Sequence, residues 1–275
     1  MEEELNKISN KIRETERWIK GLQKTLKKAL RLAKAPLQNI YKIEPLMGDL
    51  EEALNKTQFD KDALLQATSI LKEYIERLKD DFRFDFSKRL NEGLQENGMD
   101  LRGNLPVLYT GFYRMEVDFV GGKVHILFGP EKIGKCALSP GEIIETLQKI
   151  DDGLQKNSVP EDELIDRLFQ AWRRATLMLQ KERIPVTAVL TELALLLQKR
   201  QFYENPSKRN YREYSRQQFA YDIYRLRKRG IRQIYGRELH LIASTFDATR
   251  KKIDYIWIPT NERGEGTNYS YVTFK

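Results

Sequence analysis

The chain has 275 residues, 40% of them apolar and 32% charged, with a net charge of +8; it is long enough for two modest domains, or one large one with an extension. No run approaches the length of about eighteen apolar residues that a membrane-spanning helix needs, and the opening MEEELNKISNK lacks the apolar stretch of a signal peptide, so a cytoplasmic chain without a membrane partner is expected. A single cysteine, Cys136, excludes an internal disulfide framework and a multi-cysteine zinc site.

Residues 2–34 predict one long amphipathic helix. Leu5, Ile8, Ile12, Ile19, Leu22 and Leu26 recur at three- and four-residue steps, Thr15 takes the one missing core position, and Pro36 ends the run. A shorter helical piece covers 43–56. Over 60–80, Leu64, Ala67, Leu71, Tyr74 and Leu78 alternate by three and four, which puts all five on one coiled-coil seam. Residues 1–98 therefore read as a helical hairpin or three-helix unit that associates with itself or with another protein.

Asn97, Gly98, Gly103 and Pro106 mark a boundary, after which the period becomes strand-like. Tyr109, Phe112, Met115, Val117 and Phe119 lead into a turn at 120–123, and Val124, Ile126 and Phe128 return from it as the second arm of a β-hairpin. Ser139-Pro140-Gly141-Glu142 has the form of a capping box opening a helix to about Leu154. Residues 99–160 form this small central region.

From Glu161 the helical period resumes. Leu164, Leu168, Trp172, Ala175 and Leu179 make one stripe, and Val186, Val189, Leu190, Leu193, Leu196 and Leu197 make a second helix apolar enough to be buried on several sides. A polar, tyrosine-rich segment, 201–214, precedes a helix capped by Ser215 and stopped by Gly230. Strands are expected at 238–246, 253–258 and 269–274. Three helices followed by strands with a basic connection is the order of a winged helix, although about 14 residues separate its second and third helices against the three or four of a standard helix-turn-helix. The predicted fold class is α+β, mainly helical: an N-terminal helical or coiled-coil unit, a small β-hairpin region, and a winged-helix-like domain over 161–275.

The charge is not spread evenly. Residues 198–275 carry 17 Lys and Arg against 8 Asp and Glu, so the last third holds all the excess. A positive field concentrated in one segment predicts a partner rich in phosphate, DNA before RNA. On the 215–229 helix, Phe219, Ile223 and Leu226 share the core side, which leaves Gln217, Tyr221, Tyr224, Arg225 and Lys228 on the other. Gln and Arg can bond base edges bidentately, Lys meets phosphate and Tyr stacks or donates. Arg250, Lys251 and Lys252 at the strand connection, followed by Tyr255 and Trp257, form a second candidate contact. Lys208, Arg209 and Arg212, interleaved with Tyr203, Tyr211 and Tyr214, form a third, suited to neutralising backbone and stacking bases.

Other motifs carry less chemistry. Gly129 to Cys136 has the spacing of a P-loop, but Cys136 replaces the magnesium-binding Ser or Thr and no helix starts at Lys135, so it reads as a basic turn. Glu116 and Asp118 beside Lys123 would suit a metal-dependent nuclease, and equally suit the solvent face of the hairpin. His125 and His240 are the only histidines, too few for a paired-histidine metal site. His240 is expected on the strand face opposite Leu239 and Leu241, and Tyr269 and Tyr271 read as sheet residues. The resulting expectation is a non-catalytic DNA-binding protein, a regulator or a DNA-recruiting subunit, with no catalytic residue, metal or cofactor. The alternatives are the Glu116/Asp118 nuclease and a scaffold whose basic surface meets an acidic protein.

Overall fold

The computed structural model describes residues 2–55 and 62–275. It is mixed helix and sheet, the α+β class read from the sequence, and it divides into two compact units. One holds residues up to Glu92 with Phe119–Gly122; the other holds Gly93–Asp118 and Lys123–Lys275. Among the described residues, no helix is long and apolar enough to cross a membrane.

The first unit contains α1 (Glu2–Leu32), α2 (Pro36–Asn55) and most of α3 (Asp62–Glu96). Proline at the first position of α2 costs nothing there, because its absent N–H would have had no helical partner. α3 runs well past the expected end near residue 80, since Phe82, Phe86, Leu90 and Leu94 keep a four-residue apolar step. Ile40, Tyr41, Ile43, Met47, Leu50 and Ile75 form the core, with Leu22, Leu32, Leu78, Phe82 and Phe119 packed on it. Phe119 stacks on Tyr41 with ring centroids 5.1 Å apart, and Arg83 Nε donates to the Tyr41 hydroxyl at 3.0 Å. Lys79 is buried but paired with Glu44 and Glu76.

Two sequence expectations change in this unit. The side chains of Leu64, Ala67 and Leu71 lie outside the described residues, and so do those of Leu5 and Ile8. Tyr74 is 54% exposed while Ile75 is buried, so the inward line of α3 is Ile75, Leu78 and Phe82 rather than a seam through Tyr74. On α1, Leu22 packs inward but Ile12, Ile19 and Leu26 remain exposed.

The second unit begins with a five-stranded antiparallel meander: β1 (Arg102–Asn104), β2 (Val107–Thr110), β3 (Tyr113–Asp118), β4 (Lys123–Phe128) and β5 (Glu131–Ala137), hydrogen-bonded in chain order. Only the middle of this sheet was expected. Its inner face is Leu108, Met115, Val117, Val124 and Ile126, covered by Ile143 and Leu147 of α4 (Pro140–Asn157). The capping box at Ser139 is not formed: Ser139 makes no side-chain cap bond, its N–H goes to the Ala137 carbonyl, and Glu142 accepts instead from the Ala137 N–H at 3.3 Å.

The remainder is α5 (Glu161–Leu179), β6 (Ile184–Pro185), α6 (Val186–Leu196), α7 (Arg200–Glu204), α8 (Arg216–Lys228), β7 (Gln233–Ile234), β8 (Arg237–Ala243), β9 (Ile256–Pro259) and β10 (Gly266–Phe274). The second sheet has the order β6-β10-β8-β7, with β9 pairing the first half of β10. Between β8 and β9 the chain forms 3-10 turns at Asp247–Arg250 and Lys252–Asp254. Trp257 of β9 locks this part to the meander. A Cβ at Gly129, in the β4–β5 turn, would fall 2.3 Å from the indole, and one at Gly266 would fall 2.4 Å from it. The same indole meets Phe128 edge to face with centroids 5.2 Å apart.

Candidate nucleic-acid interface

α8 is built as its sequence prescribes. Ser215 Oγ accepts from the Gln218 N–H at 3.1 Å, and the helix stops at Gly230, whose φ of +72° is the left-handed value that favours glycine. Phe219, Ile223 and Leu226 are fully buried.

The opposite face is covered except at Lys228, and its polar groups are paired from within, which corrects the helical-wheel expectation. Tyr224 is buried, its ring against Phe112 at 5.0 Å and its hydroxyl donating to Glu262 at 3.2 Å. Tyr221 is half-buried against the same phenylalanine. Gln217 donates to Glu131 at 2.8 Å, and Arg225 is paired with Glu161 at 2.7 Å and with Asp222 at 3.4 Å. Lys228 is exposed, but its ammonium lies 2.5 Å from Glu262. The physical reason is a second layer: the meander supplies Phe112 and Glu131 against α8, while Glu161 at the start of α5 and Glu262 in the β9–β10 loop supply the other carboxylates. Burial alone would raise the Glu161 carboxyl, but its backbone hydrogen bond and the guanidiniums of Arg225 and Arg229 hold it below its ordinary value. The hydrogen bond from Lys228 likewise holds the Glu262 carboxyl low.

The two basic segments fare differently. Lys208 and Arg209 are exposed and make no ion pair among the described residues. Arg212 is structural: its guanidinium donates to the Asn157 carbonyl at 3.0 Å, and Gln198 grips its backbone N–H at 2.8 Å and its carbonyl at 2.9 Å. Tyr203 and Tyr211 are exposed and pack on Phe202, whereas Tyr214 is buried and donates to Asp222 at 2.9 Å. In the β8–β9 connection Arg250 is exposed and paired with Asp247 at 2.9 Å, while Lys251 and Lys252 are exposed with no ion pair among the described residues. Tyr255 is buried and Trp257 is clamped as described, so neither is free to stack on a base.

Position relates these segments. Thr187, at the start of α6, donates to the Ile253 carbonyl at 2.8 Å, and Gln198, just beyond its end, holds Arg212. The two basic segments are thus anchored, through Ile253 and Arg212, at opposite ends of an eleven-residue helix, which is about 16 Å long at 1.5 Å per residue.

A third cluster was not foreseen. Arg227, Arg232, Glu238, His240 and Tyr269 line a depression of about 200 Å³. The signal for it was present in part, because Arg227 belongs to neither the core stripe of α8 nor the face through Tyr221 and Tyr224. Its partners come from 232, 240 and 269, and their approach depends on the β10–β8 pairing, which sequence spacing does not encode. His240 is exposed beside buried Leu239, on the strand face its neighbours implied.

The remaining motifs resolve simply. Gly134, Lys135 and Cys136 lie inside β5 and pair with β4, so their N–H groups form no phosphate-cradling loop before a helix. Glu116 is salt-bridged to Arg114 at 2.7 Å on the outer face of β3, and Asp118 stands opposite Lys123. Among the described residues, no group of three or more His, Cys, Asp or Glu is gathered to hold a metal ion. No family model, curated protein or solved structure matches this chain.

Proposed function

We propose that this chain is a non-catalytic DNA-binding protein with a winged-helix-like C-terminal module, joined to itself or to a protein partner through its N-terminal helices. The topology supports the module: α5, β6, α6 and α8 are followed by β8, a long connection and β10, and β6 pairs with β10, which pairs with β8. In this reading the β8–β9 connection is the wing. The nineteen residues between α6 and α8, 197–215, hold the short α7.

The observation that carries the proposal is the wing's charge. Lys251 and Lys252 project from it without internal carboxylate partners, whereas four of the five cations on and just after α8 are neutralised from within. Most of α8 therefore acts as a packed strut, Arg227 excepted, and phosphate contact falls first to the wing, with Lys208 and Arg209 extending it beyond the far end of α6. A positive surface of this kind binds backbone with little sequence preference and with strong salt dependence.

The test is binding of the full chain to labelled duplex DNA across a salt series, beside Lys251→Ala/Lys252→Ala. Affinity is expected to fall steeply with salt. The double variant is expected to bind more weakly on every sequence, with the salt slope reduced by about two, one per lost phosphate contact. Absence of binding at low salt would sink the proposal and leave the basic surface to an acidic protein.

A further inference from the structure

Of the five cations on α8 and at its end, Arg216 is paired with Glu131, Arg225 and Arg229 with Glu161, and Lys228 with Glu262. Arg227 is the exception. Its guanidinium lies over the Tyr269 ring, 5.7 Å from the centroid, and Nη1 donates to the Tyr269 hydroxyl at 3.2 Å. A phenol orients a guanidinium without neutralising it, so the full charge remains for an outside anion. The same depression receives Arg232, whose carbonyl accepts from the Leu239 N–H at 2.8 Å and is thereby fixed beside β8. Next along that strand comes exposed His240. Neither Arg227 nor Arg232 meets a carboxylate within ion-pair distance among the described residues, although Glu238 also lines the depression.

We propose that the depression formed by Arg227, Arg232, His240 and Tyr269 is a phosphate-binding site, occupied by a phosphodiester of a bound DNA strand. The inference deepens the DNA-binding reading and rests on it for the identity of the ligand. The chemistry is that of a phosphate site: two planar guanidiniums present forked donors, the imidazole adds one more, and Tyr269 holds Arg227 in place before the ligand arrives. The orientation matters because a side chain already held loses less freedom on binding.

The 275-residue chain, Arg232→Ala/His240→Ala and Glu238→Gln are titrated with labelled duplex DNA and, separately, with inorganic phosphate followed by NMR of the His240 and Arg232 signals. Both residues of the double variant are exposed, so its melting temperature should match the parent and any loss is one of binding. The double variant is expected to lose about a hundredfold in DNA affinity, as two charge-assisted hydrogen bonds would carry. Glu238→Gln should bind more tightly, because it removes the one carboxylate facing the anion.

If the parent binds DNA and the double variant binds it equally well, the site is overturned while DNA binding stands. If the parent ignores DNA but inorganic phosphate moves the His240 and Arg232 signals, the site stands as one for a free phosphate group and the DNA reading falls. If neither probe binds, both are overturned.

Discussion

Asp222 is fully buried on α8, where the Tyr214 hydroxyl donates to Oδ2 while Gln218 and Arg225 approach Oδ1. Burial is the largest influence on its carboxyl and outweighs the lowering by Tyr214 and Arg225, so its pKa is raised to about 6. An acid whose folded pKa exceeds its unfolded value binds its proton preferentially when folded. Its contribution to stability is therefore complete below about pH 4 and is lost as pH rises through about 6. Glu161 and Glu262, held low, act in the opposite sense, contributing at neutral pH and losing that contribution as pH falls. Asp222→Asn keeps an acceptor for Tyr214 and removes the titration. Urea midpoints of the two proteins from pH 4 to 7 should show the parent losing stability relative to the variant as pH rises; parallel curves would remove the argument. None of this was legible at 222, which the sequence shows only as an acid on a basic helix. What the sequence did reveal at this scale was local: the Ser215 cap, the Gly230 stop, and the buried trio Phe219, Ile223 and Leu226.

At the scale of elements, periodicity located most helices and the central hairpin, because each carries its own apolar repeat. It missed β1 and β5, whose residues are largely polar or glycine and which exist as edge strands only because β2 and β4 offer hydrogen bonds to them. It also placed one face wrongly on each of two helices. A repeat tells which side chains share a side; it does not tell whether a second layer covers the other side, as the meander does for Tyr221 and Tyr224. The exposed line on α1 has a consequence of its own. Ile12, Ile19 and Leu26 are spaced by sevens and stand 56%, 41% and 46% exposed, the heptad positions through which helices pair. Ile12→Lys/Ile19→Lys should leave the helical content unchanged and halve the mass measured by light scattering. A parent that is monomeric at every concentration would refute association through this line.

For the whole molecule, the central question is which length of chain folds on its own. The expectation of a domain beginning at 161 follows composition and period, but α8 draws hydrogen bonds from before that point. Gln218 donates to the Leu154 carbonyl and Arg225 to that of Val159, while Arg216 and Gln217 meet Glu131. A fragment of residues 93–275 retains these partners and should unfold in one cooperative transition. A fragment of 161–275 loses Phe112 beside Tyr224, Phe128 beside Trp257, and Glu131 with the Leu154 and Val159 carbonyls that meet α8, and should melt broadly and bind a hydrophobic dye. Cooperative melting of the shorter piece at the same temperature would show that the meander is dispensable. The α+β class and the basic C-terminal third were legible because both are sums over many residues. The layer covering α8 was not, because it joins positions such as 112 and 224 that no local pattern links.

The clamp on Trp257 bears on how such a chain can change over generations. Positions 129, 257 and 266 lie in three different segments, yet one indole fills the space that a side chain at either glycine would require. The three are therefore expected to change together: a side chain at 129 or 266 meets the indole, and a smaller residue at 257 relieves only that clash, because the positive φ at 129 and the Ile258 carbonyl 2.6 Å from a Cβ at 266 each resist a side chain as well. A lineage that enlarges either glycine must move backbone as well as reduce the indole, whatever the surface of the protein is selected to bind.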